Sequence, residues 1–166
     1  MKELGPLAFA SRLKRLSNRL MNDVSRIYEE NRFEFQPRWF LIAYLLKDES
    51  PMSITAIAKR LGLTHPYVIQ VSKEMAAHQL IIPYADKEDA RRTYLKLSPK
   101  GRKLTGKLEE FWIDISQCTQ QVIDASGTDV LEGITRIEEE LYKKSVYRRV
   151  IELRKTRTQR GGSDAK

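Results

Sequence analysis

Between Ser53 and Leu97 the chain changes its apolar period twice, and nothing else in its 166 residues constrains the fold as much. Ser53 offers a side-chain oxygen to a free backbone N–H, the job of a helix N-cap. Ile54, Ile57, Ala58 and Leu61 then follow at i, i+3, i+4, i+7, and Gly62 ends the run. Thr64 can cap a further helix with Pro66 in its first turn, where a missing N–H costs nothing. On that helix Val68, Val71, Ser72 and Met75 share one face and should pack inward. Helical spacing stops at Leu80–Ala85, which is short, β-branched and apolar. Asp86–Arg92 is polar apart from Ala90, and Thr93, Leu95 and Leu97 then alternate with Tyr94 and Lys96, the period of a half-buried strand. Two short helices joined by a Gly-containing turn form a helix-turn-helix. A hairpin with a charged tip directly behind it is a wing.

The flanks predict more helix. Residues 7–30 read as one long amphipathic helix with Leu13, Leu16, Leu20, Val24 and Ile27 as its stripe. Pro37–Leu46 is apolar nearly all round (Trp39, Phe40, Leu41, Ile42, Tyr44, Leu45, Leu46), so it is central or covered by a partner. Ser98 and Pro99 open a fifth helix with a seam at Leu104, Leu108, Phe111, Ile115, Cys118 and Val122. After Gly127 a sixth carries Ile134, Ile137, Leu141, Val146, Val150 and Leu153. These stripes exceed what one winged helix can cover and read as dimerisation helices. The fold class is therefore mostly α with a small β-wing. Residues 1–156 read as a single domain, with the winged helix-turn-helix at 36–100 and dimerisation helices at 7–30 and 99–155. Residues 157–166, with Gly-Gly, charges and no apolar period, read as a disordered tail.

Charge points to a polyanionic partner. The formal net charge is +8, and neutralising phosphates releases condensed counterions. From Arg148 to the last residue, basic side chains outnumber acidic ones seven to two, which fits added DNA affinity and a solvated tail equally well. One Cys and two His cannot supply a disulfide or a closed zinc site. No nucleotide-binding, metalloprotease or hydrolase motif occurs. The sequence thus reads as a non-enzyme without cofactor or metal. Neither a secretory signal nor a membrane span is found, since the longest apolar run, Trp39–Leu46, has eight residues; the expected location is the cytoplasm.

Over nearly its whole length the chain resembles the MarR family of winged helix-turn-helix transcription regulators. The residues that carry the resemblance are SITAIAKRLGLTHPYVIQVSKEM and DKEDARRTYLKLSPKGRKL, the latter with Asp89-Ala90-Arg91 at the wing and Ser98-Pro99-x-Gly101 at the exit. The resemblance implies a homodimer with two recognition helices in major grooves and two wings over minor grooves. For many members it also implies a small-ligand cleft between the dimerisation and DNA-binding parts. Ile69 and Gln70 stand where a small hydroxyl and an Arg are common, and Pro83-Tyr84 replaces a frequently basic stretch, so base preference does not carry over.

On the recognition helix the face opposite the core is Pro66, Gln70, Lys73 and Ala77, with Tyr67 and Ile69 at its edges. Gln can bond adenine N6 and N7 together, Lys can bond guanine or phosphate, and Ile can pack on a thymine methyl. Thr64 and His65 stand at the helix start, where backbone N–H groups favour a phosphate. His78, near the helix end, suits the macrodipole. At the wing, Asp89 would brace Arg91 toward a minor groove, with Arg92 on the backbone. Tyr28, Arg38, Trp39 and Tyr44 are candidates for an effector cleft, although an aromatic stripe at helical spacing also describes a core. Cys118, on a seam, reads as a small hydrophobe; peroxide-sensing members carry their Cys in the N-terminal region, where this chain has none. Expected partners are double-stranded DNA bearing an inverted-repeat operator, a second copy of the chain and a small-molecule effector, with no membrane. The competing reading is a winged-helix protein–protein module whose wing Arg pair binds an acidic partner.

Overall fold

The computed structural model describes residues 3–86, 89 and 92–161, with side chains up to residue 157. A 3-10 turn, Gly5–Ala8, leads into α1 (Phe9–Glu30). A second such turn, Pro37–Trp39, leads into α2 (Phe40–Asp48). Then follow β1 (Met52–Ser53), α3 (Ile54–Leu61), α4 (His65–Ala77), β2 (Ile81–Ala85), β3 (Thr93–Leu97), α5 (Pro99–Ala125), α6 (Val130–Lys143) and α7 (Val146–Gly161).

The sheet is antiparallel with strand order β1-β3-β2, pairing Met52 with Leu95 and Ile81 with Leu97. Strand β1 has no counterpart in the sequence reading, because two residues after a proline, the second of them the helix cap, carry no period. Pro83 sits in an edge strand, where its missing N–H breaks no ladder. On the wing surface Tyr84 stacks on Tyr94 at 5.8 Å, and the Lys96 ammonium lies 5.5 Å from the Tyr84 ring centre.

Residues 1–115 form one compact unit and residues 116–166 a second, so the division falls inside α5. The core of the first is built on α2, whose Ile42, Ala43, Leu45 and Leu46 are buried while Leu41 and Tyr44 stay exposed. Ile57 of α3, Val68, Val71 and Met75 of α4, and Leu95 and Leu97 of β3 close around it. The Ser72 hydroxyl, on the inward face of α4, is buried without a hydrogen-bond partner. Helix α5 presents Gly101, Thr105, Leu108 and Trp112 to this core. That face is turned from the expected seam, of which only Leu108 is fully buried; Cys118 and Val122 are exposed. Trp112 donates from Nε1 to the Tyr28 hydroxyl at 3.0 Å. Burial pushes the Tyr28 hydroxyl up from the ordinary tyrosine value, against a smaller opposing pull from Trp112.

Helix α5 starts against the end of α4. The Ser98 N–H donates to Leu80 O at 2.9 Å, and its hydroxyl donates to Gln79 O at 2.6 Å while accepting from the Gly101 N–H at 2.9 Å. Gly101 therefore lies directly on the Leu80 carbonyl.

In the second unit, the single sixth helix of the sequence reading is two helices. Asp129 caps α6 by accepting from the Glu132 N–H, and the backbone turns extended at Lys144. Ser145 then accepts from the Arg148 N–H, a fresh N-cap. Arg149 reaches back to the carbonyls of Glu140 and Lys144, both at 3.0 Å, satisfying the end of α6. Hydrogen bonds from Lys143 and then Arg149 hold the Glu140 carboxyl below its ordinary value. The apolar period crosses this break, which is why periodicity alone joins the two helices. Helix α7 runs to Gly161, past the expected helix end at 155 and into the tail expected to be disordered, since Arg, Thr and Gln tolerate helix. Helix α6 buries no residue, and Ile134, Ile137 and Leu141 are exposed, as are Leu13, Leu16 and Leu20 of α1.

Candidate nucleic-acid interface

The helix-turn-helix is fixed at three points. Ser53 accepts from the Ala56 N–H at 3.2 Å, and Thr64 accepts from the Tyr67 N–H at 3.4 Å. Between them Gly62 takes φ = 63°, a left-handed conformation that glycine adopts without steric cost. Thr64, expected near DNA, spends its hydroxyl on this cap. Helix α4 is then fixed by the burial of Val68, Val71, Ser72 and Met75, the four residues expected inward.

That packing decides what α4 shows to solvent. His65, Pro66, Tyr67, Gln70 and Lys73 are exposed and Ile69 is half-buried. His65 and Ile69 line an open cleft of about 600 Å³ with Ser53, Ile54, Thr55, Ala56 and Lys59 of the α3 end and with Arg92 and Thr93 of the wing. Three expected residues, His65, Ile69 and Arg92, are thus brought to one concave surface. Thr55 and Lys59 join them there; their place on α3, one turn from the cap, was the available signal.

At the wing, the Asp86 N–H donates to Arg92 O at 2.9 Å and the Arg92 N–H donates to Asp89 O at 2.8 Å. The Asp86 carboxylate accepts from the Asp89 N–H at 3.1 Å, a local turn of the kind Asp favours. The Asp89 carboxylate lies 3.4 Å from Arg92 Nε. Asp89 thus pairs with Arg92, which was expected only on the DNA backbone, while the brace expected toward Arg91 lies outside the described residues.

Of the four effector candidates, Tyr28 and Trp39 are buried at 1% and 2% exposure in an aromatic cluster, edge-on to Phe35 at 5.5 and 5.7 Å. Tyr44 is exposed and packs on Phe40 and Trp112. Arg38 is half-exposed and pairs with Glu74 of α4 at 3.0 Å. His78, expected to serve the helix dipole, lies with its ring 4.9 Å from that of Trp39. Among the described residues no group of three or more His, Cys, Asp and Glu is placed to hold a metal, and no helix is long and apolar enough to cross a membrane.

The model of the MarR family matches residues 37–93, the span from the 3-10 turn before α2 to the start of β3. No curated protein matches the chain. Among solved structures, the DNA complex of MepR from S. aureus is similar at 19% identity and a TM-score of 0.66, covering 80% of this chain and 98% of that one. The PcaV transcriptional regulator of Streptomyces coelicolor with its natural ligand is similar at 17% identity and a TM-score of 0.63, covering 85% and 94%. A MarR family regulator from Neisseria meningitidis gives 20% identity and a TM-score of 0.60, covering 86% and 96%.

Proposed function

We propose that this chain is a MarR-family protein that binds double-stranded DNA sequence-specifically as a homodimer and regulates transcription in the cytoplasm. The observation that carries this reading is the outward face of α4, with Gln70 and Lys73 exposed and Arg92 at the wing edge of the adjoining cleft. A rigid helix showing an amide and a cation beside a wing is built to enter a major groove. MepR is a structural relative that binds DNA, and PcaV is one that holds a natural ligand. A small-molecule effector belongs to the same reading. The apolar stripes exposed on α1 and α6 supply the dimer surface.

Selection of bound duplexes from a random pool tests it. A two-fold protein should recover an inverted repeat with half-site centres about one helical turn apart, on the order of 34 Å. Recovery of no preferred sequence would overturn the reading. Gln70→Ala is expected to cost about 1–3 kcal/mol on the selected site and to relax one base position per half-site. Equal weakening on every sequence would assign Gln70 to the backbone instead.

The wing gives a second expected result. Counting charge alone, Asp89→Ala should tighten binding, because it makes the protein more basic. With Asp89 aiming Arg92, it should instead weaken operator binding by a few-fold, and Asp89→Ala with Arg92→Ala should be less than additive. Thermal stability should barely move, since exposed pairs contribute at most about 1 kcal/mol. Tighter binding by Asp89→Ala, read by titration on a labelled operator, would make the wing a solvated loop.

A further inference from the structure

We propose that Glu74 is a positioning residue for base recognition, fixing the Gln70 amide in the orientation that reads a base. The proposal rests on the DNA-binding reading above and adds to it a part-buried residue one turn along α4 from Gln70.

Three donors from two segments converge on this one carboxylate. Trp39 Nε1 donates to Oε2 at 3.2 Å, Arg38 Nε approaches the same oxygen at 3.0 Å, and Gln70 Nε2 donates to Oε1 at 3.4 Å. Glutamate four residues after glutamine on a helix usually makes only a loose surface pair worth a few tenths of a kcal/mol. Here the far oxygen is anchored. Trp39 is almost fully buried, edge-on to Phe35 and against the His78 ring. A side chain held in that way gives its carboxylate a fixed place, and the near oxygen gives Gln70 a fixed acceptor.

The chemistry of the acceptor then selects the amide orientation. An ionised carboxylate only accepts, so Gln70 must turn its NH₂ toward it. One N–H is used there. The other N–H and the carbonyl oxygen remain, and these are the pair that bond adenine N7 and N6 together. An unanchored amide flips and loses that preference. Arg38 does a second job, because its guanidinium offsets a carboxylate that would otherwise stand unpaired one turn along the helix that meets phosphates.

The test uses the full chain as wild type, Glu74→Ala, Glu74→Gln, Gln70→Ala and the Glu74→Ala/Gln70→Ala double variant. Affinity is measured on the selected duplex, on its single-base variants and on a random duplex. Thermal melting is followed alongside. Glu74→Ala is expected to lose about tenfold in discrimination at the base position read by Gln70, while random-duplex affinity does not fall, since the change removes a negative charge and frees the Arg38 guanidinium. Glu74→Gln keeps the shape but can donate as well as accept, so it should retain part of the discrimination and guards against an unfolded alanine variant. In the Gln70→Ala background, loss of Glu74 should change base preference no further. Unchanged discrimination in both Glu74 variants overturns the proposal and leaves the DNA-binding reading standing. A uniform loss on all duplexes that persists in the Gln70→Ala background overturns it as well, since that is a structural role. If the wild type selects no duplex, the functional reading and this proposal fall together.

Discussion

Gly101→Ala is expected to destabilise the winged helix by about 3 kcal/mol or more, because its added methyl meets backbone. A Cβ built at Gly101 falls 2.0 Å from Leu80 O and 3.0 Å from its carbonyl carbon. Overpacking typically costs about 1–3 kcal/mol when a neighbouring side chain can yield. Here the obstacle is backbone, and that carbonyl is already held by the Ser98 N–H while the Ser98 hydroxyl holds Gln79 O and the Gly101 N–H. Helix α5 can accept the methyl only by drawing away from the end of α4, which breaks the two hydrogen bonds that Ser98 makes to Leu80 O and Gln79 O. At about 2–4 °C per kcal/mol for a chain of this size, the melting temperature should fall by roughly 10 °C. Gly106 supplies the control. It lies in the same helix with nothing within 4 Å of an added Cβ. Gly106→Ala should therefore stabilise by about 0.5–1 kcal/mol through helix propensity. Equal effects at the two glycines, read from denaturant midpoints, would sink the argument.

For the wild-type protein on its selected operator, affinity should fall by roughly 10³ to 10⁵ between 50 and 200 mM salt, as for a protein contacting about 6–10 phosphates. The described residues supply the cations for this in each subunit. Lys59 and Arg92, the latter aimed by its pair with Asp89, line the cleft and Lys73 stands on the outward face of α4, and the proposed dimer doubles them. Neighbouring cations are engaged elsewhere: Arg60 with Glu49, Arg38 with Glu74, and Arg102 with the Leu97 carbonyl. The salt slope therefore reports a particular set of side chains rather than the +8 of the whole chain. Lys73→Ala should lower the slope by about one for each subunit that contacts a phosphate there, at equal cost on all sequences. A flat response would contradict the mechanism outright.

Local chemistry was readable where a single residue type carries it. Ser53, Gly62, Thr64 and Ser98 mark helix ends through hydrogen bonds that span only a few residues, and each does so in the structure. The inward face of α4 followed from period alone. The face of α5 did not. Two apolar sets run along that helix, and the longer seam from Leu104 to Val122 outweighed the Gly101, Thr105, Leu108, Trp112 face, two of whose members are small or polar. Trp112 finds its place through Tyr28, 84 residues earlier. Glu74 is the same kind of case in the candidate site: its partners Trp39 and Arg38 are about 35 residues away, and no window of sequence contains both. The break at Lys144-Ser145 was hidden because the stripe continues across it.

Helix α6 has no interior of its own. In the proposed homodimer, residues such as Ile134 and Ile137 would be sheltered where two copies meet, so the association that makes the reader of an inverted repeat would also complete its second unit. Assembly then obeys mass action. At scarce subunit levels the operator is lost twice over, through fewer dimers and through a less complete fold. Occupancy should rise with roughly the square of the subunit concentration rather than in proportion to it. A gene under such a regulator would answer to a threshold in copy number, set by the bareness of one helix.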